Sequence, residues 1–298
     1  MTHKAEFDVI VVGGSYAGMA AALQLARARR RVLVLDAGQR RNRFAATSHG
    51  FLTQDGASPA AIAERAREQL LAYPTVQWRT TTAHDARQQD SRFLVTTEDQ
   101  ATVSGSLLVL APGVIDEMPT LPGIAERWGK SVFHCPYCHG YELNQGRIGV
   151  LATGAHSLHQ AQMLPDWGSV TLFTNGTFAP DDAQRADLQA RGVVIETAAV
   201  TRIIDTATVL LSDGRQLPQD GLFTACRTRP ASPLGEQLGC AMEAGPLGPF
   251  IQVDALKATS VPGVFACGDA ARGAGNVALS VGDGTQAGVS AHRTLLFS

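Results

Sequence analysis

The chain alternates short apolar runs with segments of helical periodicity. Near the amino terminus, "DVIVVGGSYAGMAAALQLARARRRVLVLDAG" contains an apolar run, a glycine turn, a small-residue helix from Tyr16 and a second apolar run ending at Asp36. This order predicts a βαβ unit. A second unit is predicted in "GRIGVLATGAHSLHQAQMLPDWGSVTLFTNG", with strands at residues 148–152 and 170–173 and a turn at residues 153–154. Two such units indicate two nucleotide-binding domains.

The segments around these units complete the predicted fold. "SPAAIAERAREQLLAY" has helical spacing, "RFLVTT" and "ATVSGSLLVLAPG" are strand-like, and the tail predicts a strand, a turn and a long helix. We therefore expect an α/β protein with two Rossmann-like three-layer domains, the second inserted in the first. The discontinuous nucleotide-binding domain is predicted to comprise residues 1–115 and 245–298, and the central domain to comprise residues 116–244.

Composition narrows the class of partner. The 298 residues are 45% hydrophobic and 17% charged, with a formal net charge of -2 and a pI near 6.4. This balance provides no general attraction to nucleic acid or to an anionic membrane. No apolar run approaches the roughly 20 residues that a membrane span requires. We expect a cytoplasmic protein whose partner is a small molecule or another protein.

The first glycine turn has the context of a dinucleotide site. In "GGSYAG", Gly13 and Gly18 take the first and last glycine positions, and the small Ser15 replaces the middle glycine. The helix amino terminus that follows can accept a pyrophosphate. Asp36, at the end of the next strand, is placed to accept hydrogen bonds from a ribose, which favours FAD or NAD over a cofactor with a 2'-phosphate.

The stretch "HCPYCHGYE", residues 134–142, contains two cysteines two residues apart. It is compatible with a metal clip, a structural disulfide or a redox pair. A zinc site needs two further ligands, and Cys226 and Cys240 lie too far apart in sequence to form a second clip, so no metal is expected. Those two cysteines and Cys267 are interpreted as buried packing residues. In a reducing compartment a close pair favours catalysis over a structural role.

Four motifs together resemble those of low-molecular-weight thioredoxin reductases. They are "VIVVGGSYAG…VLVLDAG", "LLVLAPG", "CPYC" and "VPGVFACGD", and they occur in the order and spacing of that family over essentially the whole chain. "CPYCHGYE" is most similar to the branch that includes the gliotoxin and holomycin dithiol oxidases, whose substrates are small dithiols.

The resemblance implies FAD as the cofactor. Asp269 of "CGD" is expected to bind the ribityl chain, and the helix from about residue 277 is expected to point its amino terminus at the flavin ring. Arg41 is interpreted either as a ligand of the adenine or pyrophosphate or as a solvated loop charge, and Gln54 either as a neighbour of the ring or as a loop cap. The predicted FAD-binding residues are Gly13, Gly14, Ser15, Ala17, Gly18, Asp36, Ala37, Arg41, Gln54, Ala111, Gly268, Asp269, Val277 and Ala278.

The same resemblance assigns roles around the cysteine pair. Cys138 is expected to face the flavin, and Cys135 to exchange with the substrate. His139 stands where thioredoxin reductases usually have an aspartate, and we expect it to titrate near neutrality and to act as a base. His134 either deprotonates an incoming thiol or caps the helix and satisfies a backbone carbonyl.

The second glycine turn departs from the family pattern. "LATGAHS" retains Gly154 of the fingerprint, with Ala152 and Ser157 at the outer glycine positions, and the following strand leads to "TNGTFAPDD". Acidic residues stand where a 2'-phosphate needs cations. NADPH binding is therefore doubtful, although the small residues are compatible with a retained Rossmann shape.

These features favour an FAD-dependent thiol-disulfide oxidoreductase that oxidises a small-molecule dithiol with oxygen as acceptor. Two alternatives remain open. One is a thioredoxin-reductase-type disulfide reductase that uses NADPH or another donor, with a thioredoxin-like or ferredoxin-like protein as partner. The other is a flavin-binding redox sensor. The resemblance further implies a homodimer.

Overall fold

The computed structural model describes residues 6–297. The chain divides into two compact units. The first comprises the residues up to Arg41, Ala60–Ile115 and the chain from Thr228 onward, and the second comprises Asn42–Pro59 and Asp116–Arg227. The predicted α/β class with two Rossmann-like domains, one inserted in the other, is confirmed by this architecture and by the parallel sheet in each unit.

The first unit contains a mixed sheet and its covering helices. Its amino-terminal elements are β1 (Phe7–Val12), α1 (Tyr16–Arg27), β2 (Val32–Asp36), α2 (Pro59–Leu71), β3 (Val76–Thr80), β4 (Ala83–Gln89), β5 (Arg92–Thr97), β6 (Thr102–Leu110) and β7 (Val114–Glu117). The sheet has the order β3-β2-β1-β6-β5-β4. Strands β1, β2, β3 and the second half of β6 are parallel, whereas β4, β5 and the first half of β6 form an antiparallel meander.

The second unit is built on a parallel sheet of the order β11-β10-β9-β15-β8, beside a small antiparallel sheet β12-β13-β14. Its elements are β8 (Val132–Phe133), α3 (Pro136–His139), β9 (Arg147–Leu151), α4 (Ser157–Met163), β10 (Ser169–Phe173), α5 (Asp182–Ala190), β11 (Val194–Glu196), β12 (Val200–Ile204), β13 (Thr208–Leu211), β14 (Gln216–Leu217) and β15 (Gly221–Phe223). The predicted βαβ unit corresponds to β9, α4 and β10.

The carboxyl-terminal part of the chain completes the first unit. Its elements are β16 (Arg227–Pro230), α6 (Leu234–Gln237), β17 (Met242–Ala244), β18 (Pro249–Ile251), β19 (Val264–Ala266) and α7 (Val277–Phe297). Strand β19 adds to the sheet parallel to β6, and β17 pairs with β18. The compact units change over between Arg227 and Thr228, whereas the sequence placed this limit at residues 244–245. The domain limits drawn from the sequence stay a prediction.

Helices α1 and α7 pack against each other through small residues. A Cβ atom on Gly284 would collide with the carbonyl oxygen of Ala17, and one on Gly288 would collide with the carbonyl oxygen of Ala21. The two backbones therefore approach too closely for any larger residue, and α7 is held against the helix that follows the first glycine turn. Across residues 6–297, no helix combines the length and the apolar character needed to cross a membrane.

Candidate functional site

The first glycine turn forms a cradle at the carboxyl end of β1. Gly13 has φ +102°, and a Cβ atom there would collide with the carbonyl of Ala111, the residue that follows β6. A Cβ atom on Gly18 would in turn collide with the carbonyl oxygen of Gly13. Ser15 is the amino-terminal cap residue of α1 and makes no side-chain capping hydrogen bond. The turn thus exposes the start of α1 in the arrangement that binds a pyrophosphate.

Asp36 closes the side of this cradle that lies at the end of β2. Its Oδ1 atom accepts a hydrogen bond from the backbone N–H of Gly14 at 3.1 Å. The ring of Trp78, on the neighbouring strand β3, also lies against Gly14, since a Cβ atom at Gly14 would overlap it. The buried Nε1 atom of Trp78 has no hydrogen-bond partner in the described part of the chain. Trp78 is therefore a candidate ligand-contacting residue that the motif search did not find.

The "CGD" turn supplies the opposite wall. The backbone N–H of Cys267 donates to the carbonyl of Leu110 at 3.0 Å, which ties the turn to the end of β6. Gly268 has φ +70°, and a Cβ atom there would lie 2.8 Å from the Cβ atom of Ala17. Asp269 Oδ2 pairs with Arg41 Nη1 at 2.9 Å. The other carboxylate oxygen, Oδ1, is buried and lacks a hydrogen-bond partner among residues 6–297.

A buried ion cluster anchors this turn. Asp283 on α7 is 6% exposed and accepts two hydrogen bonds from Arg272, at 2.8 and 2.9 Å, while Lys257 Nζ lies 2.7 Å from the same carboxylate. Removal of Asp283 would leave Arg272 and Lys257 without their shared counter-charge. Burial raises the pKa of the neighbouring Cys267 thiol to about 12, which keeps this cysteine protonated and unreactive at neutral pH.

The structure brings most of the predicted FAD-binding residues together at the carboxyl ends of β1, β2, β6 and β19. These are Gly13, Gly14, Ser15, Ala17, Gly18, Asp36, Arg41, Ala111, Gly268 and Asp269. Ala37 follows Asp36, and Val277 and Ala278 begin α7. Gln54 lies in the segment Asn42–Pro59, which belongs to the other unit, and its backbone closes a turn with Phe51 and Ala57. The individual roles stay predictions.

Cys135 and Cys138 form a disulfide at the start of α3. Cys135 has an extended backbone after β8, Pro136 occupies the first helical position, and the N–H of Cys138 donates to the carbonyl of Cys135 at 3.2 Å. Gln160 on α4 donates its amide to the carbonyl of His134 at 2.8 Å and so fixes the entry to the pair. Cys226, Cys240 and Cys267 are buried and lie outside the disulfide, as expected from the sequence.

The pKa of His139 in the structure differs from the one that the sequence predicted. Its ring stacks on Phe133, with centroids 4.4 Å apart and an interplanar angle of 20°. Burial lowers the pKa of His139 to about 4, while Glu142 opposes this shift and His49 adds to it. The expectation that His139 titrates near neutrality is wrong for the oxidised protein, because a buried imidazole disfavours its charged form. His139 is neutral at pH 7.

Several residues that lie near the cysteine pair could not be predicted from sequence motifs. Tyr137 packs edge-on against Trp167, with centroids 5.3 Å apart, and is 74% exposed. His49 comes from the Asn42–Pro59 segment, and its Nε2 atom lies 3.4 Å from Glu142 Oε1. A single sequence does not reveal these neighbours, since they are far from the cysteines in sequence or have aromatic side chains that usually belong to a core.

The second glycine turn is filled by its own side chains. Thr153 Oγ1 contacts His156 Nε2 at 3.0 Å and donates to the carbonyl of Ala225 at 2.7 Å, and Ser157 Oγ accepts the N–H of Thr153 at 3.0 Å. His156 Nε2 also lies 3.1 Å from the carbonyl oxygen of Ala225. Gly154 faces this imidazole, since a Cβ atom there would lie 3.2 Å from its Cε1 atom. The N–H of Thr153 and the side chains of Thr153, His156 and Ser157 are thus engaged within the chain.

Comparison with known proteins identifies the family. The model of the pyridine nucleotide-disulphide oxidoreductases matches residues 7–286. The chain belongs to this family. The family match thus spans both units, and the protein is a thioredoxin-reductase-like oxidoreductase of the flavoprotein class that contains a Cys-x-x-Cys pair.

Curated members of the family align over nearly the whole chain. Thioredoxin reductase tcpT of Claviceps purpurea (strain 20.1) is 32% identical over 97% of this chain and 94% of its own length. Thioredoxin reductase sirT of Leptosphaeria maculans is also 32% identical, over 95% of this chain and 92% of its own.

Solved structures of the family superpose closely. An oxidoreductase from Agrobacterium tumefaciens is 52% identical with a TM-score of 0.95 and covers 98% of this chain and 99% of its own. The protein HlmI is 34% identical with a TM-score of 0.90 and covers 99% of this chain and 94% of its own.

Proposed function

We propose that the protein binds FAD in the cradle of the first unit and uses Cys135 and Cys138 to oxidise a small-molecule dithiol to a disulfide. Oxygen is the proposed final acceptor. The single observation that carries the direction of the reaction is the closed second turn around His156. A reductase fed by a pyridine nucleotide needs that turn open.

The cradle fits FAD by its donors and by its shape. The glycine positions cannot hold a side chain, the start of α1 is open to a pyrophosphate, and Asp36 stands at the ribose position. The unpartnered, buried Oδ1 atom of Asp269 is an acceptor suited to a ribityl hydroxyl. The cradle residues Gly13, Gly14, Ser15, Ala17 and Gly18 would surround the pyrophosphate. When bound, the flavin supplies two-electron exchange with a dithiol and with oxygen.

The proposed exchange takes place in two substitution steps at sulfur. A substrate thiol loses its proton, and its sulfur attacks Sγ of Cys135, so that the Cys135–Cys138 bond breaks and Cys138 departs as a thiolate. The second substrate thiol then attacks the substrate sulfur of the mixed disulfide, which releases Cys135 and the cyclic disulfide. The two electrons lost by the substrate reside in the reduced cysteine pair, and oxygen finally accepts them with two protons to form hydrogen peroxide.

The surface next to the pair is suited to a small apolar substrate. Tyr137 and Tyr141 are 74% and 85% exposed, and the ring of Tyr137 makes an edge-on contact with the ring of Trp167. Aromatic side chains provide broad apolar contact at a low cost in conformational entropy. The similarity of "CPYCHGYE" to small-molecule dithiol oxidases supports the same class of substrate.

A disulfide reductase of the thioredoxin reductase type is the second candidate. It is favoured by the names of the curated relatives, which are thioredoxin reductases. In that case a thioredoxin-like protein is the substrate, and NADPH or a ferredoxin-like protein is the electron donor. A homodimer is a further proposal that rests on the family resemblance, and a cytoplasmic location is one that rests on the composition of the sequence.

Anaerobic mixing of the FAD-loaded protein distinguishes the two candidates. We expect the visible flavin absorbance to persist with excess NADPH, to bleach with dithiothreitol and to return when oxygen is admitted. The Cys135→Ser variant is the matched control and is expected to resist bleaching by dithiothreitol. Rapid bleaching by NADPH would refute the oxidase proposal and establish a pyridine-nucleotide-dependent reductase.

A further inference from the structure

Glu142 lies on the same helical face as the redox pair. The short helix α3 continues through Gly140, which has helical backbone angles of -67° and -37°, into the helical turn Tyr141–Leu143. Residues three or four apart on such a segment are neighbours. Glu142 therefore stands one turn beyond Cys138 and His139, on the side of the helix that these two residues share.

A separate segment of the second unit holds the Glu142 carboxylate. His49 Nε2 lies 3.4 Å from Glu142 Oε1, and His49 Nδ1 lies 3.6 Å from Asp55 Oδ1. Each ring nitrogen of His49 thus faces a carboxylate, and Nε2 also lies 3.1 Å from Thr47 Oγ1. The His49 side chain is 18% exposed, so this contact lies at the edge of the protein interior rather than fully in solvent.

The proton chemistry at the pair needs such a group. His139 is stacked on Phe133 and half-enclosed, which makes its protonated form costly. The groups that act electrostatically on His139 are Glu142, which favours the protonated ring, and His49, which disfavours it, with Asp55 on the far side of His49. Of these two groups, Glu142 is the one whose charge favours a protonated His139.

We propose that Glu142, anchored by His49, is a positioning residue that enables His139 to accept the proton of the incoming thiol. The proposal rests on the proposed function of the Cys135–Cys138 pair in thiol exchange. The proton leaves the substrate sulfur for the imidazole, the substrate sulfur bonds to Sγ of Cys135, and Cys138 leaves as a thiolate. Glu142 acts through His139 and does not touch the sulfur atoms.

The test follows reduction of the disulfide in flavin-free protein. Dithiothreitol is added at pH 6, 7 and 8 without oxygen, the reaction is stopped with acid, and the denatured protein is alkylated with N-ethylmaleimide. Intact mass then separates oxidised chains, which have three free cysteines, from reduced chains, in which all five are free. The rate of an unassisted thiol falls about tenfold per pH unit below its pKa. A base inside the protein deprotonates the attacking thiol, so the rate of reduction should fall less steeply with decreasing pH in the wild type.

Removal of the carboxylate is expected to steepen the pH dependence. At pH 6, dithiothreitol should reduce the disulfide of Glu142→Gln about tenfold more slowly than that of the wild type. This loss is a part of the ~100-fold or more by which general base catalysis accelerates a reaction. At pH 8 the two rates should converge, since dithiothreitol then provides its own thiolate. Glu142→Asp is expected to recover a rate at pH 6 within about threefold of the wild type.

The control is Glu126→Gln, which removes an exposed carboxylate of the same unit and is expected to match the wild type at each pH. A Glu142→Gln protein whose ratio of rates between pH 8 and pH 6 equals that of the wild type would overturn the proposal. This assay contains neither flavin nor NADPH, so its failure is distinct from failure of the oxidase proposal, which the flavin-bleaching experiment tests.

Discussion

The Asp269→Asn substitution separates cofactor binding from folding at the candidate FAD site. The change preserves the size of the side chain and removes its charge. In the protein as described, one carboxylate oxygen pairs with Arg41 at 2.9 Å and the other is buried without a partner. These two facts predict opposite small effects on the free energy of unfolding of the flavin-free protein.

The magnitudes follow from the surroundings of each oxygen. The Arg41–Asp269 pair has side chains that are 26% and 19% exposed, and an ion pair of this kind contributes up to about 1 kcal/mol. Neutralising a buried oxygen that lacks a partner recovers a similar amount, about 1 kcal/mol or more. We therefore expect the stability of the flavin-free variant to remain within about 1 kcal/mol of the wild type.

Binding of FAD should respond much more strongly. A hydrogen bond to a charged acceptor contributes about 1.5–3 kcal/mol. At 1.4 kcal/mol per tenfold change, the dissociation constant for FAD should rise about 10- to 140-fold. Titration of the flavin-free protein with FAD, followed by flavin fluorescence, measures this change, and chemical denaturation measures the stability.

The control is Asp85→Asn, which removes an exposed carboxylate in the same unit, 3.5 Å from Arg87, and should leave FAD binding unchanged. An Asp269→Asn protein that is stable and binds FAD within about threefold of the wild type would refute the assignment of Asp269 to the cofactor.

Three further outcomes are expected. Gly284→Ala should lower the free energy of unfolding by several kcal/mol, because the new Cβ atom would collide with backbone atoms of α1. Gly282 lies in the same helix with open space around it, so Gly282→Ala should raise the free energy of unfolding by about 0.5–1 kcal/mol. Equal effects of the two substitutions in chemical denaturation would contradict the packing argument. The pKa of His139 is about 4 in the folded protein and near 6.5 in the unfolded chain, so the unfolded state binds the proton first. The free energy of unfolding should therefore fall by at most about 3 kcal/mol as the pH drops from about 6.5 to 4. Chemical denaturation of His139→Phe should lack this pH-dependent component, and an unchanged pH dependence would show that the His139 ring is not buried in its neutral form. Cys138→Ser should accumulate a mixed disulfide on Cys135 when oxidised glutathione is added, because the Cys135 thiolate displaces one glutathione thiolate and no neighbouring thiol remains to resolve the adduct. A larger adduct with Cys135→Ser, measured by intact mass, would reverse the assigned roles.

The sequence was most informative where chemistry and geometry are local. The glycine turn after β1, the start of α1 at Tyr16 and the end of β2 at Asp36 could be read from residue types alone, since a tight turn between a strand and a helix needs glycine at definite positions. The close spacing of Cys135 and Cys138 was equally accessible, but the residues alone left a metal clip, a structural disulfide and a redox pair open.

The protonation states of buried side chains could not be predicted from residue types alone. The sequence shows that His139 follows Cys138, but the ring stacks on Phe133 of β8, and burial then shifts its pKa far below the ordinary value. Burial depends on every element that packs around a side chain. The expectation of a histidine titrating near neutrality was therefore wrong, although the residue itself was correctly placed beside the pair.

The sequence by itself determined the two βαβ units, the cradle glycines and the close spacing of Cys135 and Cys138, because each depends on a few adjacent residues. Tertiary structure alone decided that Arg41 pairs with Asp269, 228 residues away, and that His49 holds Glu142. It also decided that His156 fills the second turn. The physical reason is that electrostatic and hydrogen-bond energies depend on distance and burial in three dimensions, and separation along the chain specifies neither.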